Sequence, residues 1–130
     1  MQNARGEIQA MRRTGIALTT IGLLAAIGVF GFVWLAATHG GLDYKCIVEG
    51  PRRESAPFAV VSEAVQVHGY FSSWPLGRAC DWERADGKGF VTASPGWAGT
   101  IDFLSCLAIA AVGVVLRNLG SQRRSGRIVK

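Results

Sequence analysis

The chain has 130 residues, of which 49% are hydrophobic and 18% are charged, with a formal net charge of +5. Soluble domains carry about 25% charged residues, so this composition excludes an ordinary soluble globule, a disordered tail protein and a large enzyme. The charge-free segments 14–38 and 103–116 instead indicate a small integral membrane protein.

The first predicted element is a transmembrane helix over residues 14–38, directly after Arg12 and Arg13. A helix of this length extends about 37 Å, more than the ~30 Å hydrocarbon core requires. A secretory signal peptide is the alternative, because it also has a basic start and because Ala36-Ala37 resembles a cleavage region. However, the apolar part of a signal peptide is only about 7–15 residues long, which favours an uncleaved helix.

The second predicted transmembrane helix covers residues 98–116, between Trp97 and Arg117. Its length of about 28 Å is just sufficient to span the membrane. Asp102 lies near the Trp97 end, where a carboxylate can reach water at the interface. Intramembrane acids are functional candidates by default, so Asp102 is a possible functional acid, and stabilisation of the helix N-terminus is the structural alternative.

Both predicted helices carry residues suited to anchoring and packing. Trp34 and Trp97 are expected to act as interfacial anchors, because indoles prefer the headgroup level, although Trp34 also suits simple packing. Small side chains let helices approach closely in lipid, either within one chain or between chains. They form a stripe on each helix: Gly15, Thr19, Gly22 and Ala26 on the first, and Cys106, Ala110 and Gly113 on the second.

The charge distribution predicts the topology. Both ends of the chain are basic, whereas the segment between the helices has six positive and seven negative residues. Cationic flanks stay in the cytoplasm, so residues 1–13 and 117–130 are expected inside and residues 39–97 outside. The basic tail also suits contact with anionic lipid or an acidic partner, and no motif for nucleic acid accompanies it. The residues expected to set topology and contact lipid are Arg12, Arg13, Arg117, Arg123, Arg124 and Arg127.

The external segment is rich in strand-forming and turn-forming residues. Its alternation of apolar and polar positions predicts an antiparallel sheet of three to five strands. The aromatic residues Tyr70, Phe71, Trp74 and Trp82 are expected in its core, with a partner-binding patch as the alternative. The expected strands are 43–48, 58–61, 65–70, 78–84 and 89–94, and the expected turns are 72–77 and 86–89.

Two of the three cysteines, Cys46 and Cys80, lie in the external segment. An oxidising compartment and a domain too small for a large core both favour a disulfide between them. Free thiols and a redox-active or metal-binding pair are the alternatives, but no CxxC spacing is present. Cys106 is expected to be a small packing residue inside the second helix.

Candidate catalytic residues are few. His39, His68 and Asp43 have a spacing that fits no familiar metal site, and the sequence contains none of the common nucleophile, zinc-protease or nucleotide-binding motifs. The expectation is therefore a protein without enzymatic activity, metal or cofactor.

The segment Trp74–Trp82, WPLGRACDW, is followed by Pro95-Gly96-Trp97 and the second helix. This order resembles uncharacterised small two-helix membrane proteins of actinobacteria, in which a WPLGxxCxW-type segment precedes the last helix. The resemblance implies a bacterial source with a GC-rich genome and no particular activity.

Together these features predict a membrane α+β fold. It comprises two antiparallel transmembrane helices and, between them, a small disulfide-closed antiparallel β domain outside the cell. The expected function is that of a non-enzymatic accessory or protein-interaction subunit in the cell membrane, with another membrane or envelope protein as its partner. The alternative is a ligand-sensing or transport-associated component that uses the external domain and Asp102.

Overall fold

The computed structural model describes residues 2–50 and 66–125. The strand expected at 58–61 therefore lies outside the described residues, as does Arg127. The described part contains three helices and three strands, in the order α1 (Gln2–Thr38), α2 (Leu42–Val48), β1 (Val67–Ser73), β2 (Leu76–Glu83), β3 (Phe90–Ala93) and α3 (Ala98–Ser125).

The two long helices contain the predicted spans. Segments Gly6–Thr38 of α1 and Ala98–Gln122 of α3 are each long and apolar enough to cross a membrane. Both helices extend past the uncharged segments into the arginine-containing flanks. The chain divides into two compact units. The first unit combines α1 up to Gly28 with α3 from Asp102 onward, and the second runs from Val29 to Ile101.

In the first unit, α1 and α3 pack with their backbones close together. A Cβ atom added to Gly15 would lie 2.8 Å from the backbone nitrogen of Arg117. One added to Gly22 would lie 2.7 Å from that of Ala110. The hydroxyl of Thr19 donates to the carbonyl of Gly15 at 2.8 Å and approaches the carbonyl of Ala110 at 3.5 Å. Because later residues of α1 meet earlier residues of α3, the helices are antiparallel.

The small residues of both helices form this contact within one chain. Gly113 is buried, and a Cβ atom added to it would lie 2.5 Å from the backbone nitrogen of Thr19. Ala26 is buried on α1, and Cys106 is a half-buried free thiol on α3. Close packing of small residues is the usual way in which helices associate in lipid.

The second unit contains a three-stranded antiparallel sheet in the order β1-β2-β3. Ser73 pairs with Leu76 across the first hairpin, and Glu83 pairs with Phe90 across the second. The core lies on one face of the sheet and consists of Cys46, Cys80, Trp82 and Ala93, with Val67 and Val91 packed against them. A sheet of this size needs additional packing partners, which α2 and the disulfide provide.

Residues 43–48 form a helix, so the expectation of a strand there was wrong. Leu42 and Cys46 are four residues apart and lie on the side of α2 that contacts the sheet. Lys45 and Glu49, also four residues apart, form an ion pair with an Nζ–Oε2 distance of 3.0 Å. This i,i+4 spacing belongs to a helix, and short apolar runs do not distinguish a helix from a strand.

The turn expected at 72–77 is shorter than expected, because β1 continues to Ser73 and β2 begins at Leu76. The aromatic cluster also differs from the expectation of a shared core. Trp82 is buried, but Tyr70 and Trp74 are exposed. Trp74 contacts the edge of the Trp97 ring, with 5.6 Å between the ring centroids.

Replacing Gly22 with alanine is expected to lower the free energy of unfolding by about 1–3 kcal/mol, because the new methyl group collides with the α3 backbone. The matched control is Gly28→Ala, where an added Cβ atom meets nothing within 4 Å. Both variants exchange a helical glycine for alanine, so their difference isolates the helix contact. Unfolding of the purified protein in detergent micelles measures it, and equal stability of the two variants would contradict the packing.

Candidate functional site

Helix α2 begins directly after a turn at the end of α1. Gly40 and Gly41 have φ angles of 85° and 89°, which side-chain-bearing residues rarely adopt. The carboxylate of Asp43 then accepts a hydrogen bond from the backbone N–H of Gly69 at 2.6 Å. Gly69 permits this approach, because a Cβ atom there would lie 2.6 Å from the backbone of Leu42. Helix α2 is thereby held against β1.

The Cys46–Cys80 disulfide joins α2 to β2, as predicted, with the two Cα atoms 5.8 Å apart. Its cysteines are 1% and 0% exposed, and the bond lies in the centre of the core. Lys45, which precedes Cys46 on α2, and Arg78, two residues before Cys80 on β2, line the same cleft.

Lys45, Glu49 and Arg78 form a charged cluster at this junction. The ammonium nitrogen of Lys45 donates to both carboxylate oxygens of Glu49, at 3.1 and 3.0 Å. The Nη2 atom of Arg78 donates to Glu49 Oε2 at 3.3 Å. The hydrogen bonds from Lys45, and secondarily those from Arg78, hold the pKa of Glu49 below its ordinary value, although partial desolvation opposes them.

The guanidinium group of Arg78 has donors that the described residues do not satisfy. Its side chain is only 13% exposed. Its Nε and Nη1 atoms are buried, and neither finds an acceptor within residues 2–50 and 66–125. A buried donor without an acceptor costs about 1–3 kcal/mol, so such groups are uncommon and call for an explanation.

The charged cluster lies in an open cleft of about 420 Å³, named here the Arg78 cleft. Its lining residues come from two parts of the chain. Phe32, Leu35, Ala36 and His39 belong to the end of α1 and the residue after it, and the others are Lys45, Glu49 and Arg78. A lining that combines two cations with apolar side chains suits a ligand that has an anionic end and a hydrocarbon end.

The structure places the other candidate residues as follows. Trp34 and Trp97 are 50% and 54% exposed, and their role as interfacial anchors stays a prediction. Asp102 is exposed, and the first turn of α3 contains no acidic residue, so stabilisation of the helix N-terminus does not explain it. His68 Nδ1 lies 3.9 Å from Asp43 Oδ1. Within the described part of the chain, no three His, Cys, Asp or Glu side chains are grouped to hold a metal.

The charged cluster was missed at the sequence level. A strand would place Lys45 and Glu49 on the same face but about 13 Å apart, whereas the helix brings their charged groups into contact. The available signal was Arg78 itself, a long charged residue that alternates in phase with Cys80 and Trp82 and so falls on the apolar side of the expected strand 78–84. Lys and Arg are rarely buried without a partner, so such a position indicates a specific contact.

No family model, curated protein or solved structure matches this chain. The resemblance of the WPLGRACDW segment to actinobacterial membrane proteins therefore stays a prediction.

The pKa of Glu49 is expected to rise more in Lys45→Gln than in Arg78→Gln, since Lys45 provides the larger lowering effect. A carboxyl group with a lowered pKa stabilises the folded state above its ordinary pKa of 4.5 and loses this effect as the pH falls. An NMR titration of the Glu49 carboxyl carbon measures the shift. A larger rise in Arg78→Gln would contradict the order of the two partners.

Proposed function

We propose that the protein is an integral membrane protein of the bacterial cell envelope, in which α1 and α3 both span the cell membrane. Both termini are cytoplasmic, residues 39–97 are external, and the basic ends contact anionic lipid. Its role is that of a non-enzymatic accessory subunit whose external part binds another envelope protein. The actinobacterial origin implied by the WPLGRACDW segment is part of the same proposal.

The distribution of exposed side chains supports membrane insertion. Ile21, Leu24 and Ile27 on α1 are 61%, 69% and 68% exposed, whereas the buried positions on the same helix are glycines and alanines. A core helix in a soluble protein buries its large apolar residues and not its small ones. A helix pair in lipid does the reverse, because lipid covers the large side chains. The contacts of Gly15 and Gly22 with α3 also give α1 a packing role that a cleaved signal peptide lacks.

Two independent features support the orientation. The first is that Arg12 and Arg117 belong to the same end of the antiparallel pair, since Arg117 lies against Gly15 and Arg12 lies close to Gly120. This collects the positive flanks on one side, as cytoplasmic flanks require. The second is the Cys46–Cys80 disulfide, which persists in oxidising compartments outside the bacterial cytoplasm.

The three lysines of the chain allow the orientation to be measured without mutation. A membrane-impermeant amine reagent is expected to modify the exposed Lys88 in intact cells. Lys130 is expected to react only after lysis, because the proposed topology places it in the cytoplasm. Mass spectrometry of the proteolysed chain reports both sites in one sample. Labelling of Lys130 in intact cells, or protection of Lys88, would overturn the topology.

The exposed apolar face of α2 supports the proposal that the protein binds a partner. Tyr44, Ile47 and Val48 have helical spacing and are 65%, 64% and 57% exposed. Large apolar side chains grouped on a surface indicate an interaction site. Because α2 starts only a few residues after the end of α1, this face suits an apolar external surface of another membrane protein.

A photoreactive amino acid at Ile47 is expected to give one discrete protein adduct in intact cells, because this position is central to the apolar face of α2. The same amino acid at Lys88, which is exposed in the distant hairpin turn, is the matched control and should give no such adduct. The adduct should also be lost when Val48→Asp is added on the same face. Adducts to lipid alone would contradict the accessory role.

A ligand-sensing or transport-associated role is the second candidate, and the two cations that line the Arg78 cleft, Lys45 and Arg78, favour it. In this alternative the external unit binds the ligand, and Asp102 stays a candidate acid without an assigned contact. Loss of the Ile47 adduct together with retained ligand binding in the Arg78 cleft would favour this candidate over the accessory role.

A further inference from the structure

The Arg78 cleft has more positive than negative groups, and its positive side chains are more buried than its negative one. Two cations, Lys45 and Arg78, face one carboxylate from Glu49. The cations are held in place, since their side chains are only 20% and 13% exposed, whereas that of Glu49 is 51% exposed. Glu49 can therefore turn into water more easily than either cation can move.

Glu49 occupies the position that an external anion would take. It accepts from Lys45 Nζ and from Arg78 Nη2, the two donors of the cluster that are already paired. The buried Nε and Nη1 atoms of Arg78 stay without an acceptor among the described residues. A phosphate that took the place of the Glu49 carboxylate would accept from the same two donors, Lys45 Nζ and Arg78 Nη2, and charge-assisted bonds of this kind are strong.

The apolar residues that line the cleft indicate what is attached to the anion. Phe32 and Leu35 are 74% and 55% exposed and belong to the last two turns of α1. In the proposed topology these turns lie at the outer boundary of the hydrocarbon, so a chain attached to the anion would continue into the bilayer. The cleft volume of about 420 Å³ is within the usual range for small-ligand sites.

We propose that the Arg78 cleft binds the phosphate group of an anionic phospholipid of the outer face of the membrane. The phosphate oxygens displace Glu49 and accept hydrogen bonds from Arg78 and Lys45, and an acyl chain lies along Phe32 and Leu35. This inference rests on the proposed membrane insertion and gives the ligand-sensing candidate a chemical class. Glu49 is then an internal competitor for the lipid.

Three ligands distinguish the contribution of the phosphate to binding from that of the hydrocarbon chains. Short-chain phosphatidylglycerol has both parts, the matching diacylglycerol has only the chains, and glycerol phosphate has only the phosphate. The full-length protein in detergent is titrated with each, and bound ligand is counted by native mass spectrometry. Phosphatidylglycerol is expected to bind at least about tenfold more tightly than the other two.

Variants test the assigned residues. Arg78→Gln should weaken phosphatidylglycerol binding at least about tenfold, because charge-assisted bonds to phosphate are lost. The matched control is Arg84→Gln, which removes the same charge from the turn after β2 and should leave binding unchanged. Glu49→Gln should tighten binding several-fold, because the competing carboxylate is lost. This gain also keeps the proposal testable if Arg78→Gln fails to fold, which loss of the Cys46–Cys80 disulfide would reveal.

Each opposite result overturns a defined part of the proposal. If wild type and a folded Arg78→Gln bind phosphatidylglycerol equally, Arg78 is not part of the binding site. If Glu49→Gln binds phosphatidylglycerol more weakly than wild type, Glu49 is not a competitor. Equal affinity for glycerol phosphate identifies a free phosphate as the ligand, and equal affinity for diacylglycerol identifies an apolar groove only. If lysine labelling contradicts the topology while these affinities hold in detergent, the proposed orientation fails, but the phosphate site stands.

Discussion

The Cys46–Cys80 disulfide is the contact on which the second unit depends. The buried core there consists of the two cysteines, Trp82 and Ala93, so the bond makes up much of the interior that it crosslinks. Closing a segment with a sequence separation of 34 stabilises the folded state by about 4 kcal/mol in the chain-entropy description. The same bond sets α2 against β2 and so determines which charges meet. Without it, the Asp43–Gly69 hydrogen bond would still hold α2 against β1, but the covalent link between α2 and β2 would be lost.

The two units are stabilised by different kinds of contact between their elements. In the first, the helices meet through residues that have almost no side chain, and the closeness of the backbones provides the contact. In the second, the close approach of Gly69 to Leu42 is combined with a covalent bond and with a buried hydroxyl. Thr100 is fully buried and accepts a hydrogen bond from the backbone N–H of Leu76 at 2.7 Å. This bond connects the first turn of α3 to the beginning of β2.

Much of this fold was predictable, because its strongest signals are long or chemically specific. The two apolar helices follow from length and composition, the disulfide follows from two cysteines in one segment, and the 86–89 turn follows from its glycines. The errors concern short segments. Residues 42–48 are too few for periodicity to separate a helix from a strand, and the aromatic residues of the first hairpin could not be assigned to a face before the register was known. The Arg78 cleft depends on both of these unknowns, which explains why no local motif revealed it.

Glu49 also has a consequence for selectivity. Because it lies four residues from Lys45, its carboxylate competes for the two cations as a tethered group, and such groups act at effective concentrations on the order of millimolar. A dissolved anion of equal intrinsic affinity but lower concentration would lose this competition. A molecule concentrated at a surface next to the cleft would not be excluded in the same way. The tethered Glu49 carboxylate therefore sets a minimum local concentration that an anion must reach to occupy the cleft. An anion held at a nearby surface meets this condition more easily than a dissolved anion of the same charge.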